Sequence, residues 1–159
     1  MHAVARCARV PRRAPPSRDR PPPEAFDLAI RLLGLRPHSE QEVRQKLRRR
    51  GCPATAIDEA VARIRGLGYL DDAAFAQALV AHRSRTRGPA LVAAELAARG
   101  IDRDVAHDAL QGIDHPAQVE AARRLAARRP HPDRRVVAAR LLRRGFPSGV
   151  IREALELDD

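Results

Sequence analysis

"VAAELAARGI", residues 92–101, sets Leu96 four residues before Gly100 and an apolar residue directly after that glycine. The same word appears in "VRQKLRRRGC" at 43–52 and in "VAARLLRRGF" at 137–146, each with a valine four residues before the leucine. The spacing predicts a helix that stops at the glycine, with Gly51, Gly100 and Gly145 just past the helix end, where the backbone turns left-handed. Leucine then falls three positions inside the end, and the residue after glycine folds back on it. This pairs Leu47 with Cys52, Leu96 with Ile101 and Leu141 with Phe146. The glycines lie 49 and 45 residues apart, a period typical of helical repeat arrays.

Helical spacing continues on both sides of each word. After the glycines run the stripes Ile57, Val61 and Ile64, Val105 and Ala109, and Val150 and Ala154. Before them run Phe26, Ala29, Ile30 and Leu33, then Phe75, Ala76, Leu79 and Val80, then Val119, Ala122, Leu125 and Ala126. The predicted fold is therefore all-α: three tandem three-helix repeats over residues 25–67, 68–112 and 113–157. Residues 1–24 hold six prolines and six arginines and are expected to be a disordered basic tail.

Helix starts are marked as well. Ser39 with Glu42 forms an S-x-x-E capping box, and Pro89, Pro116 and Pro132 suit first turns. In "LGYLDDAAFA" (67–76), Asp71 is expected to cap a helix, with Asp72 favouring its dipole and Leu70 stapled to Phe75. Tyr69 and Phe75 are expected to fill the join between the first two units. Adjacent aspartates at a helix start point in different directions, which argues against an acid/base pair.

Apolar residues make up 44% of the 159-residue chain but aromatics only 3%, so the core must be built from Ala, Leu, Val and Ile. Strong helix formers dominate, and no alternating β pattern appears. The two cysteines, Cys7 and Cys52, form no metal-type pair, and no apolar run reaches the roughly 20 residues of a membrane span. The six histidines show no H-E-x-x-H, "GLGYLD" lacks the third glycine of a dinucleotide loop, and no serine has a nucleophile-elbow context. A non-enzymatic protein without cofactor or metal is expected.

Three words together carry a resemblance: "LRPHSEQEVRQKLRRRG", "LGYLDDAAFAQALVAHR" and "GPALVAAELAARGI". In order and spacing they resemble the RecX family of bacterial recombination regulators, most strongly from Arg36 to Leu110. The resemblance implies an elongated, curved array of three-helix repeats. It further implies a cytoplasmic regulator that binds the RecA recombinase filament on single-stranded DNA and restrains strand exchange and ATP hydrolysis in recombination, repair and the SOS response. The chain departs from the family in its arginines where lysine is usual, in Cys52–Pro53 after Gly51, and in a leader outside the shared pattern.

A net charge of +10, with Lys46 the sole lysine, points to an anionic partner or an acidic protein face. The charge is uneven: +4 in the tail, +4 in the first unit, −1 in the middle unit, and +3 in the third with its two trailing aspartates. The candidate partner-binding residues are Lys46, Arg48, Arg49 and Arg50 at the end of the first capped helix, Arg143 and Arg144 at the matching place in the third unit, and Arg85 and Arg87 before Gly88. Direct DNA contact through a helix-turn-helix-like recognition helix is the alternative. A monomer is expected, since no long heptad seam is present.

Overall fold

Gly51, Gly100 and Gly145 adopt φ values of 82°, 72° and 83°. Behind each lies a complete double-bonded helix stop. The amides of Cys52, Ile101 and Phe146 donate to the carbonyls of Leu47, Leu96 and Leu141 over 3.1–3.3 Å, and the glycine amides donate to Arg48, Ala97 and Leu142 over 2.8–3.0 Å. A fourth stop of the same kind follows Ile64, where Gly68 has φ 75° and the Tyr69 amide reaches the Ile64 carbonyl at 3.0 Å. Its sequence signal is the same word with isoleucine in place of leucine.

The computed structural model describes residues 24–156. The helices are α1 (Ala25–Leu33), α2 (Glu40–Arg49), α3 (Ala54–Gly66), α4 (Asp72–Arg83), α5 (Pro89–Ala98), α6 (Arg103–Gln111), α7 (His115–Arg128), α8 (Arg134–Arg143) and α9 (Ser148–Leu155), with no strand among the described residues. The fold is all-α, in three tandem three-helix repeats. The tail expected over residues 1–24 lies outside the described residues, save for Glu24.

In each repeat the first helix packs most extensively on the third, and the second rests against both. Three separate cores result. The first centres on Ala29, Val43, Leu47, Val61 and Ile64, the second on Ala76, Val92 and Leu96, and the third on Ala122, Leu141, Phe146 and Val150. Leu70 belongs to the first core, while Phe75 packs on the second. The two ends of the expected staple thus serve different units. Tyr69 is 60% exposed, which corrects its expected place in the join: Leu70 takes the buried position beside it. Asp71 caps α4 as expected, accepting the Ala74 amide at 2.9 Å. Pro89 opens α5 and Pro116 lies in the first turn of α7, but Pro132 precedes Asp133, the residue that caps α8.

The substantial helix packings all lie within a repeat. Repeats meet through helix ends, and the two joins are variants of one arrangement. At the first, the cap of α2 meets the stop of α5. Ser39, fully buried, donates its hydroxyl to the Arg99 carbonyl at 2.6 Å while accepting the Glu42 amide at 3.2 Å. At the second, the cap of α5 meets the stop of α8, and the Gly88 amide donates to the Arg144 carbonyl at 2.8 Å. Ser39 and Gly88 are both cap residues, and Arg99 and Arg144 are both the last residues before a stop glycine. Each join gives donors to carbonyls left open at a helix end, and sets the negative end of one helix dipole on the positive end of the next.

Both joins require glycine. A Cβ on Gly88 would lie 2.1 Å from the Gly145 carbonyl oxygen, whereas one on Gly51 would meet nothing within 4 Å among the described residues. Gly88→Ala should therefore destabilise the protein by about 2 kcal/mol through steric displacement of backbone at the second join. Gly51→Ala should cost roughly 1 kcal/mol, from the left-handed backbone alone. Urea denaturation of the two variants would check the order, and equal losses would contradict it.

Candidate partner-binding surface

The arginines fall into two groups according to whether a carboxylate meets them. In the first two repeats six arginines are paired, clustered on three glutamates. Glu95 receives Arg83 at 2.9 Å, Arg87 at 2.7 Å and Arg99 at 3.0 Å. Glu42 receives Arg36 at 3.1 Å and, across the first join, Arg99 at 2.8 Å. Glu40 binds Arg44 at 2.8 Å and also Arg65, and its amide donates to Asp72 of the next repeat at 3.0 Å. Asp72 therefore does more than favour its own helix: it also caps a first-turn amide of α2. Arg63 lies over the Phe26 ring, 3.9 Å from its centre.

This pairing sorts the residues singled out from the sequence. Arg87, in the loop before α5, is held by Glu95. Lys46 lies against the imidazole of His38, 2.7 Å from Nε2, while Nδ1 sits 2.8 Å from the Arg36 carbonyl. Those neighbours fix the tautomer: Nδ1–H donates to the carbonyl and Nε2 accepts from the ammonium. Burial lowers the His38 pKa, the bond to the Arg36 carbonyl opposes this, and the Arg36 and Lys46 charges lower it further. Arg48, Arg49 and Arg50 are exposed at the free end of α2.

Arg85 and Arg144, far apart in sequence, come together at the second join. The Arg144 Nη1 donates to the Thr86 carbonyl at 3.1 Å. Thr86 and Arg128 both line two adjoining clefts, of about 320 and 240 Å³. Arg85, Arg124 and His82 complete the first cleft, and Arg129, Arg140 and Arg144 line the second, with no carboxylate in either lining. Arg140 and Arg144 are oriented by backbone carbonyls, of Arg129 at 2.6 Å and of Thr86, so their positive charge is placed without being neutralised. The side chains of Arg85 and Arg128 make no ion pair among the described residues. Arg143 is exposed on the same helix end but does not line the clefts. The sequence reading missed Arg124, Arg128, Arg129 and Arg140. The run "AARRLAARR" at 121–129 offered a signal, two arginine pairs with no acid among them.

The array and its junctions can be set beside known proteins. Family models described as the first and second three-helix domains of RecX match residues 25–63 and 71–110. The regulatory protein RecX of Chlorobium phaeobacteroides is 39% identical over 139 residues, covering 84% of this chain and 92% of the relative. The chain belongs to the RecX family. The RecX of Thermobifida fusca is 37% identical, covering 94% of each chain. The crystal structure of RecX from Lactobacillus salivarius superposes with a TM-score of 0.75 at 25% identity, covering 83% of this chain and 92% of that one. The family is one of regulatory proteins. Among the described residues no helix is long and apolar enough to cross a membrane.

Glu95 links the arginines of the middle RecX repeat to the first join. Burial raises its carboxyl pKa, but hydrogen bonds from Arg83 and Arg99 and the charges of Arg83 and Arg87 outweigh that and hold it below the ordinary range. A carboxylate depressed in the folded state contributes its full stability above its unfolded pKa and loses it as pH falls through the folded value. The urea midpoint should therefore decline as pH falls from about 5 towards about 3. Glu95→Gln should lower the midpoint at neutral pH and flatten the decline. An unchanged slope in the variant would remove Glu95 as a cause.

Proposed function

We propose that this chain binds the RecA recombinase filament on single-stranded DNA in the cytosol and restrains its strand exchange and ATP hydrolysis, without catalysing a reaction of its own. Membership of a family of regulators supports the reading, and the observation that carries it is the arginine cleft at the second join. A surface of convergent, unneutralised guanidinium groups suits a nucleoprotein polymer, whose accessible faces are phosphates and carboxylates. Arg85, Arg128, Arg140 and Arg144 are the residues assigned to it, with Arg143 at its edge.

A recognition-helix mode on bare duplex is less well supported. α2 and α5 bury their first turns against the neighbouring repeat, whereas a recognition helix of that type presents its N-terminal residues to bases. The exposed faces of α3 and α6 carry Asp58, Glu59, Asp104 and Asp108, which phosphates would repel.

The test is single-strand-dependent ATP hydrolysis by the cognate recombinase, with this protein added below one copy per recombinase subunit. Hydrolysis should fall, and the inhibition should weaken steeply as salt rises. The double variant Arg85→Glu with Arg128→Glu should need at least about tenfold more protein for the same inhibition, since two charge-assisted contacts become repulsive. Undiminished hydrolysis with the unaltered protein would overturn the function. Full potency of the double variant would overturn the placement of the surface.

A further inference from the structure

The two joins leave one helix stop over. α5 ends on Arg99–Gly100 and receives the first turn of α2. α8 ends on Arg144–Gly145 and receives the first turn of α5. α2 ends on Arg50–Gly51, with the same left-handed glycine and the same arginine before it. Among the described residues, the space that Gln41 fills at Gly100 and Leu91 fills at Gly145 is open at Gly51. The carbonyl of Arg50 accepts no hydrogen bond among the described residues, whereas those of Arg99 and Arg144 each take one across a join. The guanidinium of Arg99 holds Glu42 of the incoming turn, and that of Arg144 holds the Thr86 carbonyl of the incoming segment. The Arg50 guanidinium makes no hydrogen bond or ion pair among the described residues.

We propose that the Arg50–Gly51 stop is a seat for the first turn of a helix from another protein, one that begins with a small or hydroxyl cap residue and carries a carboxylate three residues later. The chemistry is copied from the occupied seat. There a serine hydroxyl reaches the carbonyl before the glycine, and Glu42, three residues on, pairs with the arginine. Lys46, Arg48 and Arg49 stand in the last turn of α2, just before the open seat, and favour an acidic first turn, which the positive end of an incoming helix also tolerates best. Charge argues against a second copy of this chain. The unseated start it would offer is that of α8, Asp133-Arg134-Arg135-Val136, whose arginines would meet the basic residues around Gly51. The seat lies in the first repeat, apart from the arginine cleft between the second and third, and does not depend on it.

The probe is a synthetic alanine-rich helical peptide of about 16 residues beginning PHSEQE, the start that fits the occupied seat. It is titrated to roughly 2 mM, where millimolar binding is detectable, into the isotope-labelled full chain while amide shifts are followed. Shifts should concentrate on Arg50, Gly51 and Cys52. Arg50→Ala, at an exposed position, should weaken binding by about tenfold, the worth of one charge-assisted contact. Glu→Gln at the sixth peptide position should weaken it similarly. Gly51→Asn, which keeps the left-handed backbone but fills the space, should abolish it. Absence of shifts, shifts centred on Arg128, or unaltered binding to the Arg50→Ala and Gly51→Asn variants would overturn the seat. Two results would overturn the occupant instead: Gly51 shifts that grow with the concentration of the chain alone, and binding that appears only after removal of residues 1–23.

Discussion

The backbone of a helix cannot stop without leaving carbonyls open, and here the whole array is arranged around how that problem is solved. A left-handed glycine closes the last turn of each second helix and exposes one carbonyl just before it. In two of the three repeats the neighbour supplies the missing donor. The stop is thus both the end of a helix and the place where the next repeat attaches. Because the donors come from the first turn of another second helix, α8, α5 and α2 run head to tail, with dipoles in series.

That construction divides labour among the many arginines. Near the first join they are consumed by Glu40, Glu42 and Glu95, which bind the loop before α5 to its own helix and the first repeat to the second. The two clefts beside the second join are lined by no carboxylate, and two of their guanidinium groups are aimed by carbonyls instead. An arginine bonded to a carbonyl is positioned but keeps its full charge. In the middle repeat, acidic by composition, three of the five arginines are bound to its own Glu95, while the junction it shares with the third repeat remains strongly positive. Net charge per repeat gives no hint of this, because what matters is which charges have partners.

The helices and their stops were legible from residue spacing, since a leucine, a glycine four later and an apolar residue after it are local features. The boundary caps at Ser39 and Asp71 were legible for the same reason. The joins were not. The contact between Ser39 and Arg99 spans sixty residues, and nothing near Ser39 says that its hydroxyl will serve a second helix. Arg87 looked free because its partner Glu95 lies eight residues on, across a loop and a turn of helix. Tyr69 looked like core because aromatics usually are. Yet it is exposed, although Cys52, Ile101 and Phe146 are buried at the same place after a stop glycine, and here the neighbouring Leu70 goes in instead.

Each repeat carries its own sealed core, so the connections between repeats are mechanically soft compared with the bodies they connect. A few hydrogen bonds and a glycine-to-glycine approach at Gly88 and Gly145 act as a pivot, not a weld. Thr86 stands on one side of that pivot, and Arg128, Arg140 and Arg144 on the other; Thr86 and Arg128 border both arginine-lined clefts. A small change in angle between the second and third repeats would alter the width of those clefts without disturbing a single core side chain.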